Sequence, residues 1–114
     1  MREIKFRAWD KKHDIIHTGV SVFNFQDFKE SILIENSDIE LMQFTGLHDK
    51  NGKEIYEGDI VSFPKNDGTI PKLSIIYNNR FACFQFKEQN APIGLSMSYE
   101  VIGNIYESPE LLDK

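Results

Sequence analysis

The sequence holds a single cysteine, Cys83, and only four prolines among 114 residues. One thiol cannot close an internal disulfide, so a covalently stapled secreted scaffold is excluded and a cytoplasmic compartment is expected. Cys83 sits in the apolar run Phe81-Ala82-Cys83-Phe84, where a small buried hydrophobe is a better reading than a catalytic thiol. No apolar stretch approaches the ~20 residues that cross a membrane. Residues 1–7 alternate charge with apolar side chains and lack the apolar block of a signal peptide. No membrane partner is expected.

Catalytic signatures are missing too: no nucleophile elbow, no Walker loop, no dinucleotide fingerprint. Metal-ligand clusters are equally scarce. His13 and His17 are four apart, but they fall in an expected turn and strand with no cysteine beside them. No cofactor is expected. The chain also lacks an excess of positive charge, since its net charge is −5. That sign opposes non-specific nucleic-acid binding. The charge is unevenly spread. Lys and Arg outnumber Asp and Glu by five to three over residues 1–17 and by six to four over 50–87. Acidic residues prevail elsewhere.

What the chain does have is aromatics: nine Phe, four Tyr and one Trp. Phe and Tyr favour pleated, half-buried surfaces. With 40% hydrophobic and 27% charged residues, the composition suits one folded domain over residues 1–114.

Residues 3–9 alternate, with Ile4, Phe6 and Ala8 on one face and Lys5, Arg7 and Trp9 on the other. The polar run 10–14 is turn material, and Ile15 resumes β-favouring residues, so a hairpin is expected over 3–18. A strand over 20–23 and a short helix over 25–31, capped by Asn24, are expected next. Residues 39–45 alternate again until Gly46 breaks the pattern. Short strands follow at 53–56 and 60–63, and Pro64 ends the second. Asn78-Asn79 marks a tight hairpin between 73–77 and 81–86. Residues 87–94 read as a loop. The last strand covers 99–106, with Gly103 at a bulge. Ser108-Pro109 starts a short terminal helix.

Three stretches together resemble the YopX-like family, a group of small bacteriophage and prophage proteins with no assigned activity. They are Arg2 to Asp10, Met42 to Val61, and Val101 to Leu111. The resemblance implies a mainly β fold built on a small SH3-type barrel, with an added N-terminal β-hairpin and one or two short helices. On that view residues 1–38 hold the hairpin and a variable insert. Residues 39–107 form the barrel core and 108–114 a helical tail. The resemblance also implies the cytoplasm of a bacterial host.

The middle motif is explained by turns. Gly46, Gly52 and Gly58 recur every six residues and supply positive φ without steric cost. Asp49 and Asp59 are expected to accept backbone N–H groups, and Asn51 and Glu57 complete the turns. A calcium loop starting at Asp49 fails, because Glu54 falls where glycine is needed and Ile60 where the bidentate Glu is needed. Nothing in the pattern points to burial of Glu57 or Asp59.

Two functional readings remain. The first is a non-enzymatic protein-interaction module that self-associates or contacts a host or phage protein. It rests on Trp9, Tyr56, Phe63, Tyr77 and Tyr99, which exceed what so small a core is expected to bury. The alternative is a nucleic-acid-binding barrel using the basic-aromatic stripe Lys5, Arg7, Trp9, Lys11 and Lys12.

Overall fold

In a computed structural model, the protein is described over residues 4–20, 39–89, 91–93 and 98–112. The helix expected over 25–31 and the rest of 21–38 lie outside these residues. The described chain is mainly β. Its strands are β1 (Phe6–Asp10), β2 (Ile15–Val20), β3 (Ile39–His48), β4 (Glu54–Tyr56), β5 (Asp59–Ser62), β6 (Lys72–Asn78), β7 (Cys83–Phe86), β8 (Ala91–Pro92) and β9 (Glu100–Asn104). A 3-10 helix, Pro109–Leu112, follows the last strand.

The strands form two antiparallel sheets, ordered β2-β1-β3-β4 and β8-β7-β6-β5-β9. One of them is a half-barrel. The expected N-terminal hairpin is present, with Asp10 opposite Ile15. Strand β1 also pairs with β3 in continuous register from Phe6↔Gln43 to Asp10↔Ile39. A boundary at residue 38 therefore runs through the first sheet.

Each sheet carries its own apolar cluster. Trp9, Met42, Phe44 and Tyr56 form one. Ile55, Val61, Leu73, Ile75, Phe84, Phe86 and Tyr99 form the other. Ile55 and Tyr56 are neighbours on β4, and successive side chains of a strand point to opposite sides. That alternation lets β4 serve both clusters. Most of the aromatic excess is consumed here. Trp9, Tyr56 and Tyr99 are buried, and Phe63 packs against Phe86 and Tyr99 at 5.7 and 5.2 Å. The expectation of surplus aromatics on the surface fails for these residues. Among the described residues, the exposed large aromatic ring is Phe81.

Strand β1 breaks the expected alternation as well. Arg7, Ala8, Trp9 and Asp10 are all buried. A two-faced reading assumes one wet face, and β1 is a central strand covered on both sides. Gly46 does not end β3. It lies in an irregularity between Phe44↔Tyr56 and His48↔Glu54, and the strand continues through it at φ +89. The bulge expected near Gly103 is observed, between Ile60↔Gly103 and Val61↔Val101.

The β6–β7 hairpin is wider than Asn78-Asn79 suggests. Asn78 Oδ1 accepts the N–H groups of Arg80 and Phe81, at 2.9 and 3.2 Å. The left-handed residue is Ala82, at φ 52. A Cβ in that conformation costs about 1–2 kcal/mol. Glycine removes that strain but adds unfolded-state entropy worth about 0.4–1 kcal/mol. Ala82→Gly is thus expected to stabilise by about 0.5 kcal/mol net, or roughly 3 °C in Tm by calorimetry.

Candidate functional site

The middle motif builds two buried polar nodes. In the first, Asp49 Oδ1 accepts the N–H groups of Asn51 and Lys53, at 2.8 and 2.9 Å. Its Oδ2 accepts the N–H of Val101 at 2.9 Å. One carboxylate thereby shapes its own turn and ties it to β9. Burial pushes the Asp49 carboxyl up, but the donors on Val101, Lys53 and Asn51 outweigh this and hold it below the ordinary 3.8. A depressed carboxyl contributes stability that is complete above its ordinary value and is lost as pH falls through its folded value. Asp49→Asn is expected to lower stability by about 1.5–3 kcal/mol at neutral pH. The gap to the native chain should narrow on acidification below the ordinary carboxyl range. Urea unfolding at both pH values checks this, and a constant gap contradicts it.

The second node is an ion pair. Arg7 Nη2 donates to Asp59 Oδ1 at 2.5 Å, and Asp59 Oδ2 accepts the N–H of Tyr56 at 2.7 Å. Asp59 is 1% exposed. Burial pushes its carboxyl up, against the pull of Arg7 and the Tyr56 N–H. The guanidinium lies 4.7 Å from the centre of the Tyr56 ring and 3.5 Å from Met42 Sδ. The Tyr56 hydroxyl donates to Glu54 at 3.1 Å, and Glu54 also pairs with Lys5. That pairing, with the Tyr56 hydrogen bond, outweighs burial and holds the Glu54 carboxyl low.

The stripe expected on β1 therefore does not face outward. Arg7 and Trp9 point into the first sheet's cluster, and Trp9 stacks on Tyr106 at 5.9 Å. Lys5 is paired with Glu54, and Lys11 with Glu40 at 2.8 Å. Lys12 is exposed in the β1–β2 turn. The remaining motif residues sit at turns as expected. Gly52 and Gly58 have φ of +83 and +88, and the Glu57 N–H donates to the Gln43 carbonyl at 2.9 Å. Burial of Asp59 was not foreseen.

Asp10 was also missed. It is buried, and its Oδ1 accepts the N–H groups of Lys12 and His13 at 3.0 and 3.2 Å. Its Oδ2 lies 2.8 Å from His13 Nδ1 and 3.7 Å from His17 Nε2. An aspartate immediately before a polar turn is a signal for such an Asx-type arrangement. Cys83 departs from expectation: it is half-buried and lines a shallow depression of about 380 Å³ with Leu47, Tyr77 and Ile93. Among the described residues, no group of three or more His, Cys, Asp or Glu could hold a metal ion, and no helix is long and apolar enough to cross a membrane.

This architecture has relatives. The family model described as YopX protein matches residues 5–113, which includes both polar nodes and all nine described strands. The chain belongs to the YopX family. A YopX-family comparison among solved structures agrees. Protein EF1440 from Enterococcus faecalis is 26% identical, with a TM-score of 0.68, over 99% of this chain and 100% of that one. YopX from Bacillus subtilis is similar in fold, at 19% identity and a TM-score of 0.56, over 96% and 98% of the two chains. No curated protein matches the chain.

Proposed function

We propose that this YopX-family chain is a non-enzymatic interaction module of a phage or prophage that self-associates through exposed apolar side chains on and beside its first sheet. Its half-barrel is, on this reading, the SH3-type element of the fold, and its work in the host cytoplasm is done by contact. One observation carries the reading. Ile4, Ile15 and Leu41 are exposed large apolar side chains, at 54, 49 and 37%. The register places Leu41 opposite Ala8 and Ile15 opposite Asp10, so both belong to the face that also holds Phe6 and Ile39. Ile4 continues the same alternation beyond the strand. Asp10, His17 and Gln43 share this face, so the exposed apolar side chains stand around a polar centre, and such a mixed patch suits a self-complementary two-fold contact.

Light scattering behind size-exclusion chromatography tests this. The native chain is expected at twice its 13.3 kDa mass. Leu41→Glu places like charges against each other across the two-fold contact and is expected to give a monomer with an unchanged circular dichroism spectrum. A native monomer at every concentration contradicts the reading.

Nucleic-acid binding loses its support. Stacking on a base needs an exposed ring, and Trp9 is buried against Tyr106.

A further inference from the structure

On the other side of the first sheet, between the β1–β2 hairpin and β4, lies a cleft of about 300 Å³. Its lining residues are Lys5, Arg7, Ile16, Thr18, Lys53, Glu54 and Tyr56. We propose that this cleft binds the oxyanion head of a small organic ligand, a carboxylate or a phosphate monoester, with the ligand's apolar body against Ile16 and Tyr56.

The charge is the first argument. Lys5, Arg7 and Lys53 line the cleft beside Glu54, and Asp59 lies against Arg7, which leaves a surplus of one positive charge in a chain whose net charge is −5. A local positive surplus inside a concave wall concentrates anions, because the low-dielectric walls focus the field. The second argument is Arg7. Its Nη2 is fixed by Asp59 and Met42, and its face lies against Tyr56. Its Nε is buried without any hydrogen-bond partner. A guanidinium has five N–H donors, and among the described residues only Nη2 is engaged. Nε is sealed within the protein, so an acceptor in the cleft meets it only when the guanidinium turns, and because a buried donor left unmet is costly that turn relieves a deficit.

Third, the walls suit an oxyanion. Strand β2 is irregular where it passes Arg7, since Phe6 pairs with Val20 but Ala8 with His17. This bulge brings Thr18 opposite Arg7, and Thr18 is exposed. Lys53 is exposed on the far wall and makes no ion pair with a described residue. Glu54 sets a limit on the ligand. It already holds Lys5 and the Tyr56 hydroxyl. A run of closely spaced phosphates meets its charge, whereas a single head group can sit between Arg7 and Lys53. The volume is at the lower end for ligand sites, which fits a small molecule.

The test uses the full chain, labelled with 15N, at low ionic strength. Inorganic phosphate, benzoate and phenyl phosphate are titrated separately, with sodium chloride as the ionic-strength control. Saturable shifts at the amides of Thr18, Lys53, Glu54 and Tyr56 are expected for at least one organic probe. Saturation by benzoate alone assigns a carboxylate ligand, and by phenyl phosphate alone a phosphate monoester. Lys53→Gln leaves the fold intact, because its side chain is exposed, and is expected to weaken binding at least about fivefold, in line with loss of one charge-assisted contact. No saturation by any probe, or equal binding by Lys53→Gln, overturns the proposal. The cleft lies on the opposite face from Leu41, so the Leu41→Glu monomer should bind the same probe equally well. This site and the self-association contact therefore stand or fall separately.

Discussion

Asp59→Ala is expected to be among the most damaging single substitutions in this protein, costing about 3–5 kcal/mol. Among the described residues the carboxylate is the only anion touching the Arg7 guanidinium, and Arg7 is 8% exposed. Removing it strands a cation between Met42 and Tyr56, and also orphans the Tyr56 N–H. A loss of this size is a large part of the 5–15 kcal/mol that holds a typical domain folded. It lowers Tm by on the order of 20 °C. The pair itself is a different matter. Burial outweighs Arg7 in setting the Asp59 carboxyl, so taking both charges out of water recovers little net energy. Arg7→Met with Asp59→Asn removes both charges and keeps an acceptor for the Tyr56 N–H. The double variant is expected to lose less than half of what Asp59→Ala loses, by urea unfolding. Equal losses would show that the site needs the ionic pair rather than the absence of a lone charge.

Gly58→Ala is expected to cost about 2–5 kcal/mol from two causes acting together. Gly58 has φ +88, and a side chain in that conformation costs about 1–2 kcal/mol. A Cβ there would also lie 2.9 Å from Met42 Sδ and 3.4 Å from Met42 Cγ. Met42 is 1% exposed and wedged beside Arg7, so it cannot step aside cheaply. Overpacking of this kind adds about 1–3 kcal/mol. The two other glycines of the motif separate these causes. Gly46 and Gly52 share the positive φ, yet nothing lies within 4 Å of a Cβ on either. Gly46→Ala and Gly52→Ala should therefore show only the conformational cost. If all three substitutions cost the same in thermal or urea unfolding, crowding by Met42 is not a factor.

Turns were the readable part of this fold. Asp49, Asn51, Gly52 and Gly58 act within a few residues of themselves, so their chemistry is visible in the sequence around them. Strand positions followed for the same reason, with the β3 alternation placing Met42 and Phe44 inside. Faces were harder. Lys5, Arg7 and Trp9 read as an outer stripe because alternation assumes that one face meets water. Whether it does depends on Asp59 and Tyr106, which lie 52 and 97 positions further along the chain from Arg7 and Trp9. The left-handed residue of the β6–β7 turn was misplaced because Asn78 used its side chain to cap the turn, leaving Ala82 to take the strained position. At the cleft, the residue types of Lys5 and Arg7 were noticed, but Lys53, Thr18 and Tyr56 join them only through sheet pairing.

Asp49 also bears on how the chain acquires its shape during synthesis. Its bonds to Asn51 and Lys53 close within a few residues, so that turn forms soon after it leaves the ribosome. Its bond to Val101 waits for another 52 positions of chain. Until β9 arrives, β5 has one neighbour instead of two, and the second sheet shows a bare edge. Long-range pairing of this kind folds slowly and leaves nascent strands open to wrong partners. The dangerous interval for this protein is the time taken to translate its last strand, and slowing the ribosome just before β9 should raise the aggregated fraction.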